Sequence, residues 1–579
     1  MEELTETKDQ DQGMDKIDNI DCISYFPDDV IFNVMDFLST KEVVRSCLLS
    51  KRWQHMQAYY PNLDFDQTYF GRELAIRKPK SGNLVERYPD LEEKRDNFIR
   101  YVDETLLRFH EQGLRIRKFN LFFTIFESSM VSLVDKWIGL ATEGRVEELH
   151  LRMHTPLDAL YILPQTVFAT KSIKTLKLEN FKLEQLLHQS ISFSSLQKLS
   201  LICIHVDAPM IASIISSCPL IEEIELIKCL GLYKVHISDL HNLRVVVIVQ
   251  HHGVIDAHIE APSLQKLRYE DGNFDTCPCK FNLIGCHNLT DLTLRCVLVS
   301  DQQFTDLLSK FPLLEALRVL DCRLLERVKI SNQHLRRLKL CCLKLEEVEI
   351  DAPKLQSFFY FGGVIPMITA TSTSGQWEGN IELYSNRCMN SHSFWKMRNL
   401  VAQSQSFKLL TLSIHCREIS FTVEEIKDIL FPLVPMVDRM KLKLRSSSEG
   451  YSALLDGLLW SCHPKILSVK FMDLESRRKF ILVLREKIVH KLDLNCEHLE
   501  SILGWQHELK DVECHVGDGK PPNWNALSDD SLNLQKRPKL HATFKWANHP
   551  GGKFILPCQF ILVSLLEVIL SPNRIPFNA

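Results

Sequence analysis

The sequence predicts an α/β protein in which a small all-helical domain precedes a long solenoid of repeats, and three observations favour this class. Apolar residues recur at helical spacing between residues 28 and 53. From about residue 115 onward, a six-residue pattern with apolar first, fourth and sixth positions returns many times. A chain of 579 residues is long enough for such an array behind a small first domain.

The first helix is expected to begin near Pro27. Proline suits the first turn of a helix, where its missing N–H is no loss. Asp28 and Asp29 then lie favourably at the positive end of the helix dipole. The apolar residues that follow at helical spacing are Val30, Ile31, Val34, Phe37 and Leu38.

Two further short helices are predicted from capping patterns. Ser39 followed by Glu42 forms a capping box, and Ser50 can cap a third helix that holds Trp53. Three helices in about forty residues bury too little surface to enclose their own apolar faces. We therefore expect another protein to cover an apolar face of this domain.

The segment from residue 22 to residue 66 resembles an F-box of the kind found in plant F-box proteins. The matching stretches are Phe-Pro-Asp-Asp-Val at 26–30, Phe37-Leu38, Thr40-Lys41, Val44-Arg45, the run from Ser46 to Trp53, and Leu-Asp-Phe-Asp at 63–66. The family's usual opening is Leu-Pro, which is Phe26-Pro27 here. Met56 stands where the family often has Trp.

In that family the F-box binds a Skp-type adaptor, which docks on a cullin scaffold in a ubiquitin ligase. The resemblance therefore implies an adaptor-binding helical surface that is apolar and exposed until it is bound. Its expected residues are Phe26, Pro27, Val30, Ile31, Val34, Phe37, Leu38, Val44, Leu48 and Trp53.

The repeated pattern has the length of leucine-rich repeats. Clear copies begin at residues 173, 196, 221, 243, 264, 289, 314, 335 and 355, so consecutive starts lie 20 to 25 residues apart. Cys229 and Cys322 fall where such repeats place Asn or Cys. Weaker copies lie at 117–122, 146–151, 409–414, 440–444, 466–471 and 491–494. Each repeat is expected to supply one strand of a parallel concave sheet, with its leucines pointing inward.

The segments behind the strands differ between repeats. Residues 209–217 and 303–310 are helical in pattern and are followed by Pro219 and Pro312. Residues 325–330 and 345–350 read as second β-like runs. Because a strand is thinner than a helix, the sequence predicts a mixed helix and strand convex side and a solenoid of uneven curvature.

The domain organisation follows from these patterns. We predict a disordered lead-in over 1–20, the F-box over 22–66, a helical linker over 67–114, the solenoid over 115–500, and a C-terminal cap of unknown role over 501–579. Connecting phrases such as Ala261–Leu264, Asp351–Leu355 and Ser217–Leu220 are similar to those of plant F-box proteins with leucine-rich repeats.

The third and fifth positions of each repeat are expected to project onto the concave sheet surface, where a target protein would bind. The candidate target-binding residues are Lys198, Glu223, Glu225, Val245, Val247, Lys266, Arg268, Arg318, Arg337, Lys339 and Phe359. In this order an apolar patch separates the acidic pair from the basic residues. Alternatively, these charges only keep the sheet soluble.

Composition argues against several other classes. A net charge of −4 gives no reason to expect nucleic acid or an anionic membrane as a partner. The apolar run over 554–570 is interrupted and short for a bilayer span, and the N-terminal residues lack a secretory pattern. Eighteen scattered cysteines fit buried, reduced thiols. Cys277, Cys279, Cys286 and His287 fit no standard zinc spacing, so neither a metal nor a cofactor is expected.

The expected function is that of the non-catalytic, substrate-recognition subunit of an SCF-type ubiquitin ligase in the nucleus or cytoplasm. The F-box would bind the Skp-type adaptor and, through it, a cullin, and the repeats would bind a target protein. Two alternatives stay open at this stage: a repeat protein whose F-box serves outside ubiquitination, and a receptor in which a small ligand completes the target site. No nucleophile and base pattern supports an enzyme.

Overall fold

A computed structural model of the chain describes residues 26–38, 40–75, 90–155, 160–184, 191–250, 256–272, 280–363, 365–370, 377–385, 389–403, 407–416, 418–422, 434–444, 450–471, 509–516 and 539–546, with scattered residues between 476 and 487. The chain divides into unit 1, Met1–Leu199, and unit 2, Ser200–Ala579. The predicted lead-in over 1–20 lies outside the described residues.

Unit 1 combines three short helices with the first strands of a parallel sheet. Its helices are α1 (Asp28–Asp36), α2 (Thr40–Ser46), α3 (Lys51–Ala58), α4 (Leu91–Glu111) and α5 (Ser129–Glu143). Its strands are β1 (Asn62–Asp66), β2 (Lys118–Thr124), β3 (Glu148–His154), β4 (Tyr161–Ile162), β5 (Thr175–Glu179) and β6 (Phe181–Lys182). Strands β1, β2, β3 and β5 pair in parallel in that order, and β4 pairs separately with β6. Short 3-10 turns occupy Gln67–Tyr69, Arg72–Ala75 and Gln165–Ala169.

The sheet begins earlier than the sequence predicted. Strand β1 pairs along its whole length with β2, with Leu63 opposite Phe119. Its side chains alternate as in any half-buried strand, since Leu63 and Phe65 are buried and Asp64 faces outward. The stretch Leu63–Asp66, which the sequence prediction includes in the F-box, is therefore part of the first strand of the sheet.

The predicted helical linker over 67–114 is in part a packed layer. Helix α4 lies against β2, and the ring of Phe98 stacks on that of Phe123 with centroids 5.8 Å apart. Trp137 of α5 meets both rings edge-on, at 6.4 Å from Phe98 and 5.4 Å from Phe123. These aromatic contacts close the core of unit 1 behind its sheet.

Unit 2 is built on a long parallel sheet. Strand β7 (Lys198–Ile202) includes the residues at which the units divide. The strands that follow it in the sheet are β8 (Glu223–Ile227), β10 (Val245–Gln250), β12 (Lys266–Asp271), β14 (Asp291–Arg295), β15 (Ala316–Leu320), β17 (Arg337–Cys341), β19 (Ser357–Gly362), β21 (Trp377–Ser385), β22 (Phe407–Cys416), β23 (Met436–Leu444) and β24 (His463–Lys470). Each pairs in parallel with the next.

The inward leucines form the core, as the repeat pattern predicted. Leu292 and Leu294 of β14 are fully buried, and Leu317 of β15 is only 1% exposed. Because side chains alternate along a strand, the positions between them face outward. Strand β21 was missed, since its sequence departs from the six-residue pattern. The weak copy at 491–494 lies outside the described residues.

Helices and strands both lie behind the main sheet of unit 2, as predicted. The helices are α6 (Ala208–Ser216), α7 (Asp301–Ser309), α8 (Ser391–Gln403) and α9 (Tyr451–Ser461). The strands form two small parallel sheets, one of β9 (Lys234–Ile237), β11 (Asp256–Glu260) and β13 (Lys280–Ile284), the other of β16 (Arg327–Ser331), β18 (Glu347–Asp351) and β20 (Met367–Ala370). The uneven curvature expected from this mixture stays a prediction.

Antiparallel strands follow the last parallel strand of the sheet. Strand β26 (Lys539–Trp546) pairs antiparallel with β24, and β25 (Leu509–Val516) pairs antiparallel with β26. Both belong to the region predicted as a cap, whereas the apolar run over 554–570 lies outside the described residues. Within the described part of the chain, no helix has the length and apolar character to cross a membrane.

Candidate functional site

The three short helices of unit 1 enclose a small core of their own. The carbonyl of Pro27 accepts a hydrogen bond from the backbone N–H of Val30 at 3.0 Å, and α1 starts there. The Ser50 hydroxyl accepts one from the N–H of Trp53 at 3.3 Å, which confirms the predicted cap of α3. Ser39, the predicted cap of α2, lies outside the described residues. The side chains that meet in the core are Ile31, Met35, Val43, Trp53, Met56 and Tyr60.

Two of the predicted adaptor contacts are buried, so the prediction that they are exposed is wrong. Ile31 is 0% exposed and Trp53 is 3% exposed. One side of α1 faces the other short helices, and the apolar stripe of that helix is therefore divided between an inward and an outward side. Val30 is half-buried, and Leu38 packs against the same core.

The remaining predicted contacts do lie at the surface. Phe37 is 91% exposed and Leu48 is 87% exposed. Val44 lies four residues before Leu48 and is 52% exposed, so both point to one side of α2 and its following turn. The other surface members of the predicted set are Phe26, Pro27 and Val34. Sequence reasoning missed Leu49, which is also exposed, although it lies within the matched Ser46–Trp53 run.

A polar junction joins the short helices to the sheet of unit 1. The Asp36 carboxylate, at the end of α1, accepts hydrogen bonds from the Tyr60 hydroxyl at 2.6 Å and the Asn62 amide at 2.8 Å. The Arg117 guanidinium, next to β2, pairs with the same carboxylate. Burial acts to raise the pKa of Asp36, but the Arg117 and Tyr60 hydrogen bonds outweigh it, and that pKa lies below its ordinary value. Burial, together with Asp36, raises the pKa of Tyr60 to about 12.

The predicted target-binding residues lie at outward positions of the strands. In each case the side chain is exposed or half-buried, and the residue that follows it in the chain is buried. The whole set is Lys198, Glu223, Glu225, Val245, Val247, Lys266, Arg268, Arg318, Arg337, Lys339 and Phe359. Strand register places Val247 between Glu225 and Arg268, so an apolar strip separates the acidic pair from the basic residues.

The basic zone contains more acidic side chains than the prediction assumed. Arg268 donates to the Glu270 carboxylate at 2.7 Å, two residues along the same strand. The Asp291 carboxylate lies 3.8 Å from the guanidinium of Arg318 and 3.6 Å from that of Arg337. Basic and acidic side chains are therefore mixed in this zone. Strands in register bring side chains of different repeats together.

Aromatic rings border this zone on β19. The ammonium of Lys339 lies 4.5 Å from the centre of the Phe359 ring, the neighbouring residue in register. Farther along β19, the ring of Phe361 stacks on that of Tyr384 from β21, with centroids 6.4 Å apart and planes 18° apart. The outward surface is therefore cationic on β17 and aromatic on the neighbouring strand β19.

The repeat cysteines are buried where the pattern placed them. Cys229 is 3% exposed and Cys322 is 1% exposed. The thiol of Cys229 lies 3.5 Å from the carbonyl of Leu201. Burial raises the pKa of Cys229 to about 12, as it does for Cys342. Ten cysteines within the described ranges are free thiols, whereas Cys277 and Cys279 lie outside the described residues.

The short helices and the repeat sheet each match models of known protein families. The F-box domain model matches residues 23–57, the segment of the three short helices. Two models of leucine-rich repeats match the sheet: that of the FBD-associated F-box protein At5g56370 over residues 134–281, and that of At1g61320/AtMIF1 over 273–423. The chain carries an F-box followed by leucine-rich repeats. The F-box match ends before β1, in agreement with the place of that strand in the sheet.

Several F-box proteins of Arabidopsis thaliana are similar to this chain. "Putative F-box protein At1g49610" is 28% identical over 300 residues, which cover 48% of this chain and 68% of the relative. "Putative F-box/LRR-repeat protein At3g42770" is 30% identical over 200 residues, which cover 34% and 35%. F-box/LRR-repeat protein At5g02910 is 25% identical over 281 residues, which cover 48% and 54%. The chain thus spans only a third to two thirds of these relatives.

The first leucine-rich repeats carry a polar depression that sequence reasoning missed. It is lined by outward side chains of β1, β2, β3 and β5, among them Asp64, Asn120, His150 and Lys177. Burial, followed by the charge of Lys118, lowers the pKa of His150 to about 4, so this imidazole is neutral at pH 7. No local sequence motif predicts this depression, because the residues that line it come from separate strands and are brought together only by strand register.

Proposed function

We propose that this chain is the substrate-recognition subunit of an SCF-type ubiquitin ligase. One observation carries the proposal: the F-box closes a small core of its own, yet leaves Phe37 and Leu48 almost fully exposed. Burial of an exposed aromatic or aliphatic side chain against a partner is favourable by roughly 1.5–3 kcal/mol of free energy each. A Skp-type adaptor is the partner that an F-box implies, and it would cover them.

The apolar residues of the F-box fall into a buried set and an exposed set, and this division supports the proposed role. Ile31 and Trp53 hold the three helices together, and Phe37, Val44 and Leu48 remain free for the adaptor. A binding surface whose supporting core is already closed loses little conformational entropy on association. The F-box can therefore present its apolar side chains before the adaptor arrives.

The repeats would hold the target while the F-box holds the adaptor. Tethering a target beside a ubiquitin-charged enzyme raises their effective concentration without any new catalytic group. The junction at Asp36 and Arg117 ties α1 to the sheet of unit 1, so that the F-box is held against the first repeats rather than on a loose tether. The chain would thus contribute positioning, and the chemistry would belong to its partners.

Co-purification with a Skp-type adaptor and a cullin tests the proposal. The full chain is compared with the double variant Phe37→Glu, Leu48→Glu, which places charge in the proposed contact. We expect adaptor affinity to fall about a hundredfold or more, because two buried apolar contacts are lost and two carboxylates are desolvated. The melting temperature of the free chain should stay unchanged, since both side chains are exposed.

A matched control separates this contact from general effects of added charge. Tyr233 and Leu343 are 54% and 62% exposed and lie outside the F-box, so the variant Tyr233→Glu, Leu343→Glu should bind the adaptor normally. Adaptor binding that is equal for all three proteins would refute the proposed contact. Failure of the unmodified chain to bind any Skp-type adaptor would refute the proposed function.

A further inference from the structure

Three cations lie together on the outward face of β15 and β17, and two of them share a single carboxylate. Arg318 and Arg337 both approach Asp291, at 3.8 Å and 3.6 Å, and neither is within close hydrogen-bonding distance of it. Lys339 lies beside Arg318 in register and two residues from Arg337 on β17. Within the described ranges Asp291 is the one carboxylate that pairs with any of these three cations, so positive charge is in excess at this place.

The positive charge adjoins an aromatic surface. The Lys339 ammonium packs over the face of Phe359 at 4.5 Å in a cation–π contact, and no carboxylate of the described residues forms an ion pair with it. Phe361 lies two residues farther along β19 and faces outward as well. We call Arg318, Arg337, Lys339, Phe359 and Phe361 the basic–aromatic patch.

A shallow depression marks the centre of this patch. Its walls include Arg318, Arg337, Lys339, Ser357 and Phe359, and its volume is about 160 Å³. Sites for small organic ligands usually enclose about 300–1,000 Å³. The depression is therefore suited to one side chain of a protein segment rather than to a whole small-molecule ligand.

We propose that the basic–aromatic patch binds an extended acidic segment of the target protein, which deepens the function proposed above and rests on it. Alternate residues on one strand lie about 6.5–7 Å apart, so Arg337 and Lys339 match two carboxylates at alternate positions of an extended chain. An apolar side chain next to them fits against Phe359. Glu378 and Glu382 of β21, in register with Ser357 and Phe361, repel acidic groups on that side of β19, so the carboxylates of the segment would lie toward β17.

Selection from a library of short random peptides tests this inference. The full chain alone is the bait, and the affinities of selected peptides are then measured by fluorescence anisotropy. We expect enrichment of peptides with Asp or Glu at alternate positions beside an aromatic or aliphatic residue. Affinity should fall at high salt, since exposed charges are screened.

Two variants locate the binding. The double change Arg337→Glu, Lys339→Glu should weaken selected acidic peptides about tenfold or more, because charge-assisted hydrogen bonds become repulsive. The matched control Lys441→Glu, Lys443→Glu makes the same charge change on the outward face of β23, away from the aromatic rings, and should leave affinity nearly unchanged. The milder variant Arg337→Gln, Lys339→Gln should give an intermediate loss.

Three outcomes would overturn the inference. A selection that yields no peptides, peptides without acidic enrichment, or equal losses in the patch and control variants would each do so, the last by showing only general attraction to positive charge. Adaptor binding through Phe37 and Leu48 is measured separately. Loss of adaptor binding would therefore count against the proposed function, and loss of acidic selection against the patch alone.

Discussion

Asp36 and Arg117 form an ion pair across 81 residues of sequence, and this pair joins the last turn of α1 to the start of β2. The side chains are 29% and 38% exposed, so solvent screens the pair only in part. Tyr60 and Asn62 donate to the same carboxylate. The junction holds the F-box helices at the edge of the sheet of unit 1, next to β1.

Replacement of Asp36 by Asn should loosen this junction. The variant leaves Arg117 without its carboxylate, and we expect the opening free energy of α1 to fall by about 1–2 kcal/mol. Hydrogen exchange of residues 28–36, followed by mass spectrometry, measures it. The control Asp28→Asn breaks the more exposed Arg52 pair, at 2.6 Å, and should change the opening free energy by less than about 0.5 kcal/mol.

The same junction should depend on pH in a defined direction. The pKa of Asp36 in the folded chain lies below the ordinary value of 3.8, so its contribution to stability is present above pH 3.8 and is lost as pH falls through the folded pKa. Wild type and Asp36→Asn should therefore converge in acid. A constant difference between them over this pH range would contradict the assignment.

Truncation of Ile31 should lower the stability of the F-box, whereas truncation of Phe37 should weaken adaptor binding. Ile31→Ala leaves a cavity among the short helices, and we expect the F-box to lose about 2–5 kcal/mol of stability. Phe37→Ala removes an exposed ring and should leave thermal unfolding unchanged while it weakens adaptor binding. Equal effects of the two changes on unfolding would mean that the division between core and contact residues is wrong.

Two helical glycines should respond differently to alanine. Gly457 in α9 lies so close to α8 that an added Cβ would be 2.5 Å from the ring of Phe394, and Gly457→Ala should lower the melting temperature. Gly139 in α5 has no atom within 4 Å of an added Cβ. Gly139→Ala should stabilise the chain by about 0.5–1 kcal/mol, the usual gain in a helix. Differential scanning calorimetry should show a lower melting temperature for Gly457→Ala and a higher one for Gly139→Ala.

The repeat thiols should be inert in the folded chain. Because burial raises the pKa of Cys229 and Cys342 to about 12, almost no reactive thiolate forms at pH 7 or 8. Iodoacetamide should label these two residues only after denaturation, as read by peptide mass spectrometry. Cys47 and Cys203 are half-buried and serve as internal references, which should react first. Rapid native labelling of Cys229 would contradict the packing of the repeats.

Several parts of the fold could be read from local patterns alone. Helical spacing after Pro27 located α1, Ser50 marked the start of α3, and the six-residue pattern located strands such as β14 and β15. Strand β21 and the true place of Leu63–Asp66 were missed, because each depends on pairing with a distant strand rather than on its own pattern.

The sequence by itself determined that a helical F-box precedes stacked repeats, because periodicity and capping are local properties of neighbouring residues. Only the tertiary structure decided that Ile31 and Trp53 belong to the core while Phe37 and Leu48 lie at the surface. It alone also brought Asp291 within 4 Å of both Arg318 and Arg337. Which side of an apolar helix is covered, and which charges meet across a sheet, depends on packing between segments that are far apart in the chain, and no local pattern contains that information.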